Sequence, residues 1–178
     1  MNLYSKLKGL LMIAPKTDTR KYLCSIYVTP TRLLTSSGYS LLMVEHESDS
    51  LQEPVMLCRH DLERKLKMFT AKSDLILSFD SNGTPYLKDS IDGEEVVLLV
   101  VIGRYPDMER VLRGIDDGNS KYSMVGLNVV LMATLCKAVN TINADKKCPI
   151  GIFSFSGRQG GCSITRGDIF GYLMPAKP

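Results

Sequence analysis

The sequence has no tryptophan, and its only two histidines, His46 and His60, stand apart. It contains no H-E-x-x-H metal pattern and no G-x-S-x-G nucleophile elbow, and none of its cysteines carries a local catalytic signature. Enzymatic chemistry therefore finds little support, and both histidines read as solvated surface residues. Five cysteines, Cys24, Cys58, Cys136, Cys148 and Cys162, make an odd set without a C-x-x-C pair. Together with the absence of a charged-then-apolar-then-small leader, they point to reduced thiols in a cytoplasm. Cys24 and Cys136 lie in apolar stretches and read as small buried hydrophobes. No apolar run approaches the length needed to cross a bilayer, so no membrane partner is expected.

What is present is ordinary globular material. Over 178 residues, 44% hydrophobic and 23% charged, the chain can bury one good core or two small ones. A net charge of +3 neither requires nor excludes a nucleic acid, so the placement of the charges matters more than their sum. Gly157 to Gly161 is glycine-rich but lacks the Gly-Lys-Ser/Thr ending of a phosphate loop, and it reads as a hairpin turn. Asp92, Glu94 and Glu95 lack the twelve-residue calcium-loop plan and read as a polar loop before a strand. No cofactor or metal is expected.

Periodicity then divides the chain. Leu3, Leu7, Leu10 and Leu11 recur at helical spacing over residues 2–14, with Asn2 able to cap and Pro15 closing the segment. A three-strand meander is expected over Tyr22–Thr29, Arg32–Thr35 and Ser40–Glu45, followed by a short strand at Glu53–Leu57. A second helix, Arg59–Phe69, presents Leu62, Leu66 and Phe69 on one face. Strands at Leu75–Phe79, Thr84–Leu87 and Val96–Ile102 follow, the first two joined through Ser81-Asn82-Gly83. The last of them, β-branched and uncharged, reads as buried until Gly103 and Pro106 stop it. Asn128 caps a third helix to about Thr141, with Val130, Leu131, Leu135, Ala138, Val139 and Ile142 on its face. Strands at Ile150–Phe155, Gly161–Thr165 and Ile169–Met174 close the chain. A helix-plus-three-strands unit thus appears three times, which predicts α+β architecture with antiparallel sheets and helices gathered on one face.

The first two helices carry Lys6, Lys8, Arg59, Arg64, Lys65 and Lys67. If they share a face, these make a basic strip able to track the phosphates of double-stranded DNA without reading its sequence. An ordinary solvated helix face explains the same residues equally well.

Gly103-Arg104-Tyr105-Pro106-Asp107-Met108-Glu109-Arg110-Val111-Leu112 resembles the junction between the second and third domains of the bacterial replicative sliding clamp, the β subunit of DNA polymerase III. Arg20-Lys21-Tyr22-Leu23, the turn Ser36-Ser37-Gly38-Tyr39-Ser40-Leu41, Gly126 to Val130, and Tyr172 to Lys177 are similar to further clamp segments. Ser37 and Ser40 stand where that family has an acid and an arginine, Tyr39 where it has histidine, and Pro178 where it has a final leucine. The resemblance implies a DNA-clamp-like fold of repeated helix-plus-strands units: a complete domain over residues 1–104, a junction and linker over 105–125, and half a domain over 126–178. It further implies a hydrophobic pocket for linear motifs of DNA polymerases, the clamp loader or repair proteins. Carried over residue by residue, that pocket is Arg20, Tyr22, Leu23, Ser36, Gly38, Tyr39, Leu41, Pro106, Val111, Tyr172, Met174 and Pro175. The expected function is a clamp-like replication or repair protein that binds such motifs in this pocket; whether copies form a homo-oligomeric ring on DNA is a separate question that the resemblance leaves open. The alternative is a non-encircling module or decoy, as from a phage or prophage, that competes with a host clamp.

Overall fold

The computed structural model describes residues 2–48, 51, 53–108, 110, 113, 127–143, 151–156 and 161–174. Helix α1 (Leu3–Ile13) begins at Asn2, whose side-chain oxygen accepts the Ser5 amide at 3.0 Å. A 3-10 turn at Lys21–Cys24 takes up the start of the expected first strand and leaves β1 (Ser25–Val28) shorter. Strands β2 (Arg32–Ser36), β3 (Ser40–Glu45) and β4 (Val55–Cys58) follow. Helix α2 (Arg59–Lys65) tightens into a 3-10 turn over Leu66–Met68, and Leu62, Leu66 and Phe69 are all buried, as their spacing requires. Next come β5 (Leu75–Phe79), β6 (Pro85–Asp89), β7 (Glu95–Val97), helix α3 (Val129–Ile142), β8 (Ile152–Ser156), β9 (Gly161–Arg166) and β10 (Ile169–Leu173).

All strand pairs are antiparallel. One sheet of seven strands runs β4-β1-β2-β3-β10-β9-β8, and a second of three runs β5-β6-β7. The β3–β10 ladder, from Ile169 opposite Val44 to Leu173 opposite Ser40, fuses the meander near the start of the chain with the one at its end. Their helices meet too, since α1 packs against α3. Gly9 makes the approach possible: a β-carbon there would lie 2.3 Å from Ile142 Cγ1 and 2.9 Å from the Ala138 carbonyl oxygen. The main core lies between these helices and the inner sheet faces, with Leu7, Leu10, Ile26, Leu33, Leu42 and Leu57 fully enclosed.

The outer face of the seven-stranded sheet carries a second, smaller cluster. The register sets Met56, Tyr27, Leu34, Met43 and Phe170 directly opposite one another in a row across β4, β1, β2, β3 and β10. Two residues along, Ser36, Leu41 and Tyr172 form a second row. Tyr105 and Met108 roof this face from outside the sheet. The strands it covers are therefore buried on both sides, so Leu41 and Leu42 are both enclosed.

Three expectations need correction. Val96–Ile102 is not one buried strand. After β7 pairs with β6, the chain crosses to the other sheet, where the Cys58 amide donates to the Leu99 carbonyl at 2.8 Å and the Val101 amide to the Met56 carbonyl at 2.8 Å. Only Leu98 of this run is enclosed, and Ile102 is 98% exposed. On α3, Leu135, Ala138, Val139 and Ile142 are buried, whereas Val130 is exposed. Cys24 and Cys136 are half-buried, as is His46; His60 is exposed. The expected turn at Gly157 to Gly160 lies outside the described residues, although β8 and β9 pair antiparallel on either side of it. No described helix is long and apolar enough to cross a membrane.

Candidate peptide cleft and basic helix face

The turn between β2 and β3 builds one lip of a cleft. Gly38 takes φ +86°, a conformation that residues with side chains rarely adopt, and a β-carbon there would lie 2.8 Å from Arg20 Nη2. Ser36 Oγ accepts the Gly38 amide at 3.0 Å, and Ser37 Oγ accepts the Ser40 amide at 3.1 Å. Ser37 and Ser40 also bond to each other through their hydroxyls at 2.8 Å. The two positions where the clamp resemblance loses an acid and an arginine are thus mutual partners, and a neutral hydrogen bond holds the turn. Past the end of β10, the Met174 amide donates to the Tyr39 carbonyl at 2.8 Å, which draws the opposite lip onto this turn.

All ten described residues of the expected pocket line this single cleft of about 150 Å³: Arg20, Tyr22, Leu23, Ser36, Gly38, Tyr39, Leu41, Pro106, Tyr172 and Met174. Val111 and Pro175 lie outside the described residues. Ser40, Tyr105 and Met108 complete the lining, and the sequence reading passed over them. Tyr105 is the most consequential of the three. It stacks on Tyr27 with ring centroids 4.5 Å apart and meets Tyr22 edge-on at 6.0 Å, so three rings anchor the crossing segment to the sheet. Burial pushes its phenol well above the usual range, and its hydroxyl lies near the Ser36 backbone without closing a hydrogen bond. Tyr172 is also buried and its phenol is raised for the same reason, whereas Tyr39 and Met174 are exposed at the mouth. At the rim, Arg20 donates to both carboxylate oxygens of Asp18, at 3.1 and 3.2 Å, and this pairing holds the Asp18 carboxyl below its ordinary value. The cleft is therefore apolar and aromatic, with a charge-balanced rim.

The six cations of the expected basic strip meet different surroundings. Arg59 is 4% exposed: Nε donates to the Ala14 carbonyl at 2.9 Å, Nη2 to the Leu11 carbonyl at 3.3 Å and Nη1 to Glu63 at 2.6 Å. It closes the carbonyl end of α1 and cannot meet a phosphate. Lys65 Nζ donates to Asp61 at 2.7 Å and to the Val97 carbonyl. Arg64 reaches the same Asp61 at 2.8 Å while staying largely exposed. Lys6 Nζ donates to the Glu45 carbonyl at 2.7 Å. Lys8 and Lys67 are exposed, and they rim a concavity between the three helices together with Lys16 and Lys137. Those last two were missed because they lie on the segment after α1 and on α3, far apart in sequence. Among the described residues, no cluster of His, Cys, Asp or Glu could hold a metal.

The helix-plus-strands units, the fused antiparallel sheet and the cleft beside the crossing segment define a fold, that of the DNA sliding clamps. The chain superposes on a protein from Eubacterium rectale described as a DNA polymerase III β subunit, with a TM-score of 0.76 at 12% identity, over 99% of this chain and 63% of that one. It matches the Helicobacter pylori β clamp, solved in complex with diflunisal, with a TM-score of 0.70 at 14% identity, over 99% and 64%. It also matches the sliding clamp of Bartonella birtlesii, solved bound to griselimycin, with a TM-score of 0.63 at 18% identity, over 98% and 64%. The chain thus spans less than two-thirds of the length of each of these clamps. No family model and no curated protein matches the sequence.

Proposed function

We propose that the chain is a sliding-clamp-like protein of DNA replication or repair, a binding scaffold and not an enzyme. In this reading residues 1–104 form one clamp-like domain, 105–125 the junction, and 126–178 half of a second domain. The cleft takes linear motifs of DNA polymerases, the clamp loader or repair proteins. One observation carries the reading: residues from separate segments, named by resemblance alone, line the same apolar cavity. Such a site suits an apolar anchor such as Leu or Phe, with flexible Met174 adapting to it and backbone groups fixing direction. Clamps of the same fold that bind diflunisal and griselimycin lend further support.

The test is fluorescence anisotropy with a labelled peptide bearing a Leu-Phe anchor, with griselimycin as competitor. Binding that griselimycin displaces is the expected result, and no binding at several hundred micromolar would sink the reading. A ring of copies around double-stranded DNA belongs to the same proposal, with Lys8 and Lys67 as the contacts best placed for phosphates. A second reading, the non-encircling module or decoy, is favoured by the engagement of Arg59, Lys65 and Lys6 with the protein itself. Retention of a DNA duplex across a salt series separates the two, because a ring needs its cations and a decoy does not.

A further inference from the structure

Val129 and Val130 open α3 at 77% and 69% exposure, although β-branched residues are poor helix formers and gain nothing locally from that position. Both line the concavity between the three helices, which has a volume of about 860 Å³. Ala133 on the same helix, Leu11 and Met12 on α1, and Leu66 in the turn after α2 continue the apolar lining. Each helix presents one face to it. Tyr4, Lys8 and Met12 recur at four on α1, and Val130, Ala133 and Lys137 at three and four on α3. The polar groups between them are already paired. Arg59 closes the last carbonyls of α1, and Thr134 donates its hydroxyl to the Val130 carbonyl at 2.8 Å. An extended peptide finds no sheet edge here to pair with. An occupant has to satisfy its own backbone while offering apolar side chains, and a helix does both.

Charge defines the other face of that helix. Arg59 and Glu63 neutralise each other at 2.6 Å, which leaves Lys8, Lys16, Lys67 and Lys137, all exposed, around the apolar lining. A second copy brings the same cations on the same patch, so two copies repel across it. Duplex DNA can meet the lysines but gains nothing from covering Val129 and Val130. We propose that this trough docks an acidic amphipathic helix of a partner protein. The helix lays two turns of apolar side chains against Val130, Ala133 and Met12 and turns Asp or Glu toward the four lysines. The seven-residue step from Val130 to Lys137 measures roughly 10.5 Å along α3, which matches anchors at i, i+3, i+4 and i+7 of the incoming helix. The trough shares no residue with the peptide cleft, so one can be filled without the other.

The experiment is NMR of the full chain with 13C-labelled methionine methyls, together with anisotropy of a labelled synthetic peptide of about fifteen residues, with Leu at i, i+3, i+4 and i+7 and Glu on its flanks. The peptide is expected to move Met12, which lines the trough, and to leave Met174, at the cleft, unmoved. Val130→Gln, at an exposed position, should weaken binding about tenfold, and Lys137→Glu should do the same while Lys137→Arg keeps it. A peptide of equal composition with its Leu residues moved off the stripe should bind at least tenfold more weakly. Equal binding by the two peptides reduces the face to charge alone and overturns the proposal. A duplex of about twenty base pairs that binds more tightly than the peptide, and is weakened by Lys137→Glu but not by Val130→Gln, assigns the face to phosphates and overturns it too. So does a Met12 signal that follows protein concentration without peptide, which identifies a second copy as the occupant. No movement of Met12 at several hundred micromolar peptide sinks the docking site and leaves the cleft, reported by Met174 and the Leu-Phe peptide, untouched.

Discussion

The Arg59 guanidinium has an acceptor for each of its three nitrogens, two of them carbonyls at the end of α1. Replacing it with alanine leaves those carbonyls enclosed without donors, so Arg59→Ala should cost roughly 1–3 kcal/mol in urea denaturation. Loss of DNA retention with unchanged stability would contradict that role. Asp61 is the matching acid. Burial works to raise its carboxyl, but hydrogen bonds from Lys65, the Leu99 amide and Arg64 outweigh it and hold the group below its ordinary value. A depressed folded value stabilises the fold above the unfolded value of about 4, and the contribution is lost as pH falls through the folded one. Thermal unfolding between about pH 6 and pH 2 should therefore show a steep acid decline that Asp61→Asn flattens. At the cleft, Met174→Asp puts a carboxylate at an apolar mouth and should weaken Leu-Phe peptide binding at least tenfold by anisotropy while the melting point holds. Met174 could be named from the sequence because it sits in a short segment like that at a clamp's end. The burial of Arg59 could not, since a cation on a helix looks the same whether it faces water or the end of another helix.

At the scale of elements, α1 and α3 approach through Gly9. Gly9→Val should destabilise by about 1–3 kcal/mol through overpacking, and adding Ile142→Ala should recover part of the loss by freeing the nearest atoms. Additive losses in the double variant would mean that the helices do not meet there. Helices were well marked in the sequence because a single apolar stripe with a cap is a local signal, as with Asn2, Leu3, Leu7 and Leu10. Strand ends were harder. Tyr22 to Cys24 are half-buried or buried, yet form a 3-10 turn whose Tyr22 carbonyl accepts the Ser25 hydroxyl at 2.5 Å. The Val96–Ile102 run misled for a different reason: its uniform apolar composition gives no sign that the chain changes sheets after Val97, which leaves Leu99, Val100 and Ile102 exposed. Tyr105 was visible as a residue and invisible as a wall, since its stacking on Tyr27 joins positions far apart in the chain.

Across the whole molecule, both ends of the seven-stranded sheet present apolar edges to solvent. At one end the crossing segment runs beside β4, bridging Val100 to Leu57, and leaves Leu99, Val100 and Ile102 exposed. At the other, β8 exposes Ile152, Phe153 and Phe155. Among the described residues no strand pairs with the outer edge of β8; such edges recruit further strands, and natural sheets guard against that with charge, proline or cover. The described part of β8 carries none of these. Because the two edges are unlike and lie at opposite ends, contact between them is head-to-tail, which closes into a ring if the rotation per copy permits and otherwise runs on as a filament. The clamp-like reading therefore predicts a defined oligomer by light scattering at tens of micromolar, one that Ile102→Lys or Phe155→Lys converts to monomer with the melting point of the monomer unit retained. A stable monomer of the unaltered chain rules out a homomeric ring in solution and leaves the decoy, whose cleft would still bind the Leu-Phe peptide.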